Sequence, residues 1–168
     1  MTHLDQTNWS VDILLTDQEK TENLAMRLRQ GFCAGDVVLL SGPIGAGKSC
    51  FARALIRSLL ADHNKSEDIP SPTFTLVQTY QTGELEIWHS DLYRLTTVNE
   101  VVELGLIDAF ENALCIVEWP DRLGDEAPKA ALMLEFGLCQ EENHRMLKIT
   151  AQSEKWNWVR KLLKVEHA

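Results

Sequence analysis

The chain has 168 residues, of which 45% are hydrophobic and 24% are charged, a composition typical of a soluble globular protein with a buried core. No apolar run approaches the roughly 20 residues that a membrane-spanning helix needs. The formal net charge of −9 disfavours direct binding to a nucleic-acid backbone, so any work on nucleic acid is expected to go through a partner.

The amino terminus and the cysteines both favour a cytoplasmic location. Residues 1–6 hold neither a basic segment nor an apolar signal core. The cysteines form no Cys-x-x-Cys pair and mostly lie within apolar stretches, which favours reduced core thiols over a metal site or disulfides. They are Cys33, Cys50, Cys115 and Cys139. We therefore expect a single cytoplasmic domain over residues 1–168.

The first elements alternate between strand and helix. Residues 9–15 partly alternate between apolar and polar side chains, which predicts a short strand. Thr16 to Glu19 fits a capping box, so a helix is predicted to begin there, with Gly31 as its C-cap. An apolar run predicts a strand at 36–40, and helical periodicity predicts a helix over 48–61.

Between that strand and helix, residues 42–49 read Gly-Pro-Ile-Gly-Ala-Gly-Lys-Ser, which fits the phosphate-binding loop pattern. The glycines let the backbone approach a polyphosphate closely, so that amide groups face its oxygens. Lys48 can reach the β- and γ-phosphates, and the Ser49 hydroxyl is placed for Mg²⁺. The positive end of the following helix faces the same phosphates. The sequence therefore predicts a nucleotide site here.

Hairpins are added in the later part of the chain. Strands are predicted at 73–80, 85–89, 113–117, 131–138 and 145–151, and short helices at 100–104, near 107–112 and after Ser153. Asn99 is expected to cap the first of these helices, and 120–128 to form a loop. This order predicts a three-layer α/β/α domain of the P-loop NTPase type with a mixed parallel and antiparallel sheet.

Hydrolysis of a nucleotide also needs carboxylates for Mg²⁺ and for the attacking water. Glu118 directly follows the buried strand 113–117. Asp91 is the last residue of the segment 85–91, which begins with the predicted strand 85–89, although acids also commonly begin loops. Ser71 to Phe74 connects the phosphate-loop helix to the next strand, where nucleotide switches supply hydroxyls that sense the γ-phosphate. Thr73 is the candidate hydroxyl; the other interpretation of this segment is a rigid proline turn.

Five segments together resemble the TsaE family, the small bacterial ATPases of the machinery that makes threonylcarbamoyladenosine (t6A) in tRNA. They are the loop 42–49, Ser-Pro-Thr-Phe at 71–74, His-Ser-Asp-Leu-Tyr-Arg at 89–94, Glu-Leu-Gly-Leu at 103–106 and Glu-Trp-Pro-Asp at 118–121. Their order and spacing match the family from about residue 15 to residue 121.

The resemblance implies a set of site residues. The phosphates of ATP would be wrapped by Gly45, Ala46, Gly47, Lys48, Ser49 and Cys50. Ser49 and Glu118 would hold Mg²⁺, with Asp91 in or beside the metal shell, where it orders the attacking water or acts as the base. Lys48 and Thr73 complete the implied catalytic set. The adenine would be contacted around Gln18 to Thr21, and Trp119 would lie close to the site.

The resemblance also implies partners. TsaE-like proteins work with TsaD and TsaB, and ATP turnover resets that complex between rounds of threonylcarbamoyl transfer to adenosine 37 of tRNAs reading ANN codons. The acidic charge of this chain suits a role in which tRNA is held mainly by the partners. One departure from the family pattern is Pro43, which stands where an acid is common and removes one backbone N–H from the loop.

Two other functions compete with this interpretation. A small-molecule P-loop kinase would need a mobile lid with arginines, and the loop 120–130 offers only Arg122 and Lys129 among three acids. A non-hydrolysing nucleotide sensor would bind nucleotide without turnover.

Overall fold

A computed structural model describes residues 8–164, which form a seven-stranded sheet with helices on both faces. The strands are β1 Trp9–Leu15, β2 Val37–Ser41, β3 Val77–Thr82, β4 Leu85–Asp91, β5 Leu114–Glu118, β6 Leu132–Leu138 and β7 Arg145–Ala151. The helices are α1 Gln18–Leu28, α2 Lys48–Ala61, α3 Val98–Glu103, α4 Leu106–Asn112 and α5 Asn157–Lys164. Short 3₁₀ turns cover Arg29–Gly31, Pro120–Glu126 and Glu154–Trp156.

The sheet is mixed, as predicted. Its strand order is β1-β7-β6-β2-β5-β4-β3. The four central strands β6, β2, β5 and β4 run parallel, and β7 and β3 pair antiparallel with the two outer members of this group. The edge strand β1 pairs antiparallel with β7 and therefore runs in the same direction as the central strands. Every residue of β5 is buried, which explains why its sequence is an unbroken apolar run ending in one acid.

Two hydrophobic clusters separate the three layers. On one face, α1, α2 and α5 pack on the sheet through residues such as Leu28, Leu55 and Val159. On the other face, α3 and α4 pack through Val101 and Phe110 against the opposite side of β2 and β5. Side chains along the central strands alternate between the two faces and therefore contribute to both hydrophobic clusters. The predicted three-layer arrangement is confirmed.

The strand predicted to begin at Thr73 begins instead at Val77. The Leu76 N–H donates to the Pro72 carbonyl at 2.7 Å, which closes a turn over 72–76. Leu76 also has a φ of +70°, in the left-handed region, so the chain cannot be extended there. Thr73 consequently lies in a turn beside the sheet.

Two helices begin at a different cap from the one predicted. Asp17, not Thr16, caps α1 by accepting a hydrogen bond from the Lys20 N–H. Thr97, not Asn99, caps α3 and forms a reciprocal capping box with Glu100.

The loop predicted over 120–128 contains a 3₁₀ turn, and Gly31 lies in a 3₁₀ turn against the Trp158 ring rather than capping α1. Among the described residues, no helix is both long and apolar enough to cross a membrane. The amino-terminal segment used for the cytoplasmic expectation lies outside the described residues.

Two leucines on β6 offer a matched test of the core. Leu134 is fully buried, whereas Leu138 on the same strand is 58% exposed. Leu134→Ala is expected to lower the free energy of unfolding by about 2–5 kcal/mol, because it leaves a cavity between the sheet and its helices. Leu138→Ala should change it by no more than about 0.5 kcal/mol. Urea unfolding followed by circular dichroism measures both values, and equal losses would contradict the described packing.

Candidate functional site

The loop between β2 and α2 is held in a conformation that only glycine adopts easily. Gly42 has a φ of +139° and Gly47 a φ of +110°. A Cβ at Gly42 would also collide with the Phe136 carbonyl oxygen on the neighbouring strand β6. Because Gly47 is the N-cap of α2 and has no side chain, it cannot cap the first amides of the helix. The loop therefore brings the positive end of a 14-residue helix to the surface.

This helix end opens into a cavity of about 560 Å³ at the carboxyl ends of the central strands. Most of the residues singled out from the sequence line it: Gln18, Thr21, Gly45, Gly47, Lys48, Ser49, Cys50, Thr73, Asp91 and Glu118. Ala46 is the exception, because it is fully buried and its N–H donates to the Pro43 carbonyl at 3.2 Å. Trp119 also lines the cavity.

Glu118 is buried and hydrogen-bonded through both carboxyl oxygens. The Ser49 hydroxyl donates to its Oε1 at 2.6 Å, and the His89 Nε2 atom lies 2.8 Å from its Oε2. The side chains of His89 and Glu118 are 0% and 2% exposed. Burying a carboxylate is costly unless such partners are present. These contacts therefore fix Glu118 directly at the start of α2.

Asp91 lies beside Glu118, because the two residues are register partners on the parallel strands β4 and β5. Its Oδ1 accepts the Tyr93 N–H at 3.0 Å, and its Oδ2 accepts the Thr73 hydroxyl at 3.1 Å. The Ser71 hydroxyl is 2.8 Å from that of Thr73 and must be the donor, since Thr73 already donates to Asp91. The segment after α2 is thus connected to the second carboxylate.

Lys48 is almost fully buried, and its ammonium donates to the carbonyl oxygens of Gly42 and Pro43, the latter at 2.9 Å. The same Nζ atom lies 4.3 Å from the centre of the Trp119 ring. Burial lowers the pKa of Lys48, and the carboxylates of Glu118 and Asp91 act in the opposite direction. The Lys48 ammonium is therefore largely removed from water and is attracted by the carboxylates of Glu118 and Asp91.

Trp119 is held in an unusual backbone conformation for a large side chain, with φ +60° and ψ +55°. Its ring packs against Tyr93, with ring centroids 4.8 Å apart. This turn directs the chain away from β5 immediately after Glu118 and places an aromatic wall beside Lys48. Strained residues of this kind cluster at functional sites.

Arg145 also lines the cavity, although no pattern in the sequence indicates it as a site residue. Its Nε and Nη2 atoms donate to the Gly45 carbonyl at 3.3 and 3.1 Å, and its Nη1 donates to the Glu142 carbonyl at 2.7 Å. Arg145 thus ties the turn between β6 and β7 to the loop, 100 positions away in the chain. No local motif marks it; only the strand order, which places β6 next to β2, brings the two together.

The cavity gathers an ammonium group, a helix amino terminus, a hydroxyl and two carboxylates. The first two suit phosphate oxygens, and the others suit a divalent cation. Among residues 8–164, no three His, Cys, Asp or Glu side chains are grouped to hold a metal ion by themselves. The chemistry of this donor set therefore fits Mg²⁺ shared with phosphate oxygens better than a metal cage made by the protein alone.

A family model described as threonylcarbamoyl adenosine biosynthesis protein TsaE matches residues 15–147. The tRNA threonylcarbamoyladenosine biosynthesis protein TsaE of Rickettsia bellii is 34% identical over 137 residues, 82% of this chain and 92% of that protein. The protein of the same name from Rickettsia felis is 40% identical over 109 residues, 65% of this chain. The match spans only 62% of the Rickettsia felis relative and 59% of the Rickettsia conorii relative.

The crystal structure of YdiB from Bacillus subtilis superimposes with a TM-score of 0.75 at 22% sequence identity. The superposition covers 95% of this chain and 97% of that one. At this level of identity the likeness concerns the fold, and it confirms the predicted α/β architecture.

The electrostatics of the cavity can be tested at Lys48. Because the carboxylates of Glu118 and Asp91 raise the pKa of Lys48 against the effect of burial, Glu118→Gln is expected to lower that pKa further. Titration of the Lys48 ¹³Cε signal by NMR measures the change. Glu135→Gln, at an exposed position on β6, is the control and should leave the titration unchanged. An unchanged or higher Lys48 pKa in Glu118→Gln would contradict this geometry.

Proposed function

Because this chain belongs to the TsaE family of threonylcarbamoyl adenosine biosynthesis proteins, we propose that it binds and hydrolyses ATP during t6A modification of tRNA. The observation that carries the proposal is the 2.6 Å contact between Ser49 and Glu118 at the amino end of α2. A hydroxyl paired with a buried acid beside a phosphate-binding loop is the arrangement that metal-assisted phosphoryl transfer uses.

ATP binding would use the loop and Lys48. The amides of Gly45 and of Gly47 to Cys50, at the amino end of α2, would supply partial positive charge for the phosphates. Lys48 would exchange its contacts with the Gly42 and Pro43 carbonyls for phosphate oxygens. Its partly desolvated ammonium interacts more strongly with an anion than an exposed lysine does.

The adenine end of the nucleotide would lie towards the start of α1. Gln18 and Thr21 line the cavity on that side, and their amide and hydroxyl groups can exchange hydrogen bonds with a base. Asn143, in the turn between β6 and β7, lines the same cavity.

Mg²⁺ would be held by the Ser49 hydroxyl, the Glu118 carboxylate and phosphate oxygens, since this ion is commonly bound by one or two carboxylates plus substrate phosphates. When bound, Mg²⁺ neutralises charge that develops on the phosphate oxygens. Glu118 suits this role because its Oε1 already lies beside the Ser49 hydroxyl.

Asp91 would orient the water that attacks the γ-phosphorus. Its two oxygens each accept one hydrogen bond from the protein and retain lone pairs for a further donor. Attack by water breaks the bond from the γ-phosphorus to the β,γ-bridging oxygen and releases ADP and phosphate. Thr73 and Ser71 would couple the presence of the γ-phosphate to the position of the 71–74 segment.

The partners in this proposal are TsaD and TsaB. ATP turnover would reset their complex between rounds of threonylcarbamoyl transfer to adenosine 37 of tRNAs reading ANN codons. The net charge of −9 supports a division of labour in which TsaD and TsaB hold the tRNA and this protein acts on them.

Glu118→Gln tests the proposed hydrolysis. In the presence of TsaB, TsaD, ATP and Mg²⁺, it is expected to lower phosphate release on the order of 100-fold or more, because it removes a charged metal ligand. Binding of ATP in the absence of metal should remain. Glu135→Gln, an exposed acid on β6, is the matched control and should retain the wild-type rate. Wild-type turnover in Glu118→Gln would overturn the assignment.

The same assay separates the competing functions. Transfer of the γ-phosphoryl group to a small acceptor in stoichiometric amounts would favour a kinase, although Arg122, the arginine of the 120–130 loop, already pairs with Asp121 and donates to the Tyr93 carbonyl. Binding of ATP by the wild-type protein with no phosphate release, even with both partners, would favour a nucleotide sensor.

Nucleotide binding can also be followed through Cys50. This thiol lines the cavity, and burial raises its pKa, so alkylation should be slow. Bound ATP is expected to slow the alkylation of Cys50 further, while leaving Cys33 unchanged. Cys33 is exposed and lies before the amino end of β2, at the opposite edge of the sheet. Mass spectrometry of the labelled peptides gives both rates, and equal rates with and without ATP would contradict binding in this cavity.

A further inference from the structure

The buried histidine of β4 takes no direct part in the proposed binding and hydrolysis of ATP. His89 is fully buried, and its Nε2 atom lies 2.8 Å from Oε2 of Glu118. It occupies the same face of β4 as Asp91, two residues earlier, and its register partner on β5 is Ile116, two residues before Glu118. His89 therefore lies two residues further from the carboxyl ends of the strands than the two acids, and it contacts Glu118 from the side away from the cavity.

Hydrogen bonding assigns the tautomer of this ring. A carboxylate can only accept, so the hydrogen between the two side chains belongs to His89 Nε2. The Nδ1 atom is also buried and has no hydrogen-bond partner among the described residues. A hydrogen on Nδ1 would be a buried donor without an acceptor, which is costly. The ring therefore carries its hydrogen on Nε2 and directs it at Glu118.

The two carboxyl oxygens of Glu118 therefore have different partners. His89 occupies Oε2, while Oε1 remains beside the Ser49 hydroxyl at the mouth of the cavity. Without the histidine, the buried carboxylate could rotate, and one oxygen would lose its only described partner. A partner behind a metal-binding side chain fixes its orientation and commonly affects metal affinity.

We propose that His89 is a positioning residue that, through its Nε2–H, holds Glu118 in the orientation required to bind the divalent cation with Ser49. This inference rests on the proposed function, since it takes Glu118 as a metal ligand. His89 touches neither nucleotide nor water in this scheme and acts only through Glu118.

Two substitutions of similar size separate hydrogen bonding from packing. His89→Gln keeps an N–H donor near the position of Nε2, whereas His89→Met fills the space without a donor. Binding of Mn²⁺ in the presence of a non-hydrolysable ATP analogue is measured by the EPR signal of the free ion. Affinity for the analogue in EDTA and urea unfolding are measured on the same samples.

His89→Met is expected to weaken Mn²⁺ binding about tenfold or more, and His89→Gln to restore most of the loss. Affinity for the analogue in EDTA should be the same in all three proteins. Wild-type Mn²⁺ affinity in His89→Met, equal losses in both variants, or a matching loss in EDTA would each overturn the positioning role.

The tautomer of His89 can be measured in the wild-type protein, which needs no variant to fold. Long-range ¹H–¹⁵N NMR spectra of the imidazole rings are expected to show His89 with its hydrogen on Nε2, and the Nδ1–H form would overturn the proposal. If the wild-type protein binds no Mn²⁺ with the analogue, the proposed function fails. The NMR spectra then decide separately whether His89 is oriented towards Glu118.

Discussion

The site depends on one contact, the hydrogen bond of 2.6 Å between the Ser49 hydroxyl at the start of α2 and Glu118 at the end of β5. The residues are 69 positions apart in the chain. They meet because β2 and β5 are parallel neighbours with Leu40 opposite Glu118, so the loop leaves β2 directly beside the acid. Parallel strands place their carboxyl ends, and whatever follows them, at one edge of the sheet.

Strand β4, the neighbour of β5, connects Glu118 to the 71–74 segment that follows α2. Asp91 stands opposite Glu118, and its side chain is held by Thr73. The Asp91 N–H in turn donates to the carbonyl of Leu76, whose left-handed backbone ends the turn begun at Pro72. A movement of the 71–74 segment therefore reaches an acid of the site through two hydrogen bonds. This is the physical basis for assigning the segment a switch function in the proposal.

Sequence patterns could predict the parts of this site that depend on local chemistry. The glycines around Lys48 indicate a backbone conformation that other residues adopt with difficulty. The apolar run before Glu118 indicates a strand buried on both faces. The turn at Leu76 is not predictable from the sequence, because alternation of side chains does not reveal a single residue with a left-handed backbone. The contact of Arg145 with Gly45 could not be predicted, since it depends on which strands are neighbours. The pairing of His89 with Glu118 depends on strand register in the same way.

The most direct test of the account is a double-mutant cycle on the affinity for ATP with Mg²⁺, measured by calorimetry for wild type, Ser49→Ala, Glu118→Gln and the double variant. If the two side chains share one ion, their effects are not additive, and the double variant should lose little more than the more damaging single change. ATP binding in EDTA should be nearly equal in all four proteins. Additive losses, or a wild-type protein whose affinity for ATP does not depend on Mg²⁺, would contradict the central claim.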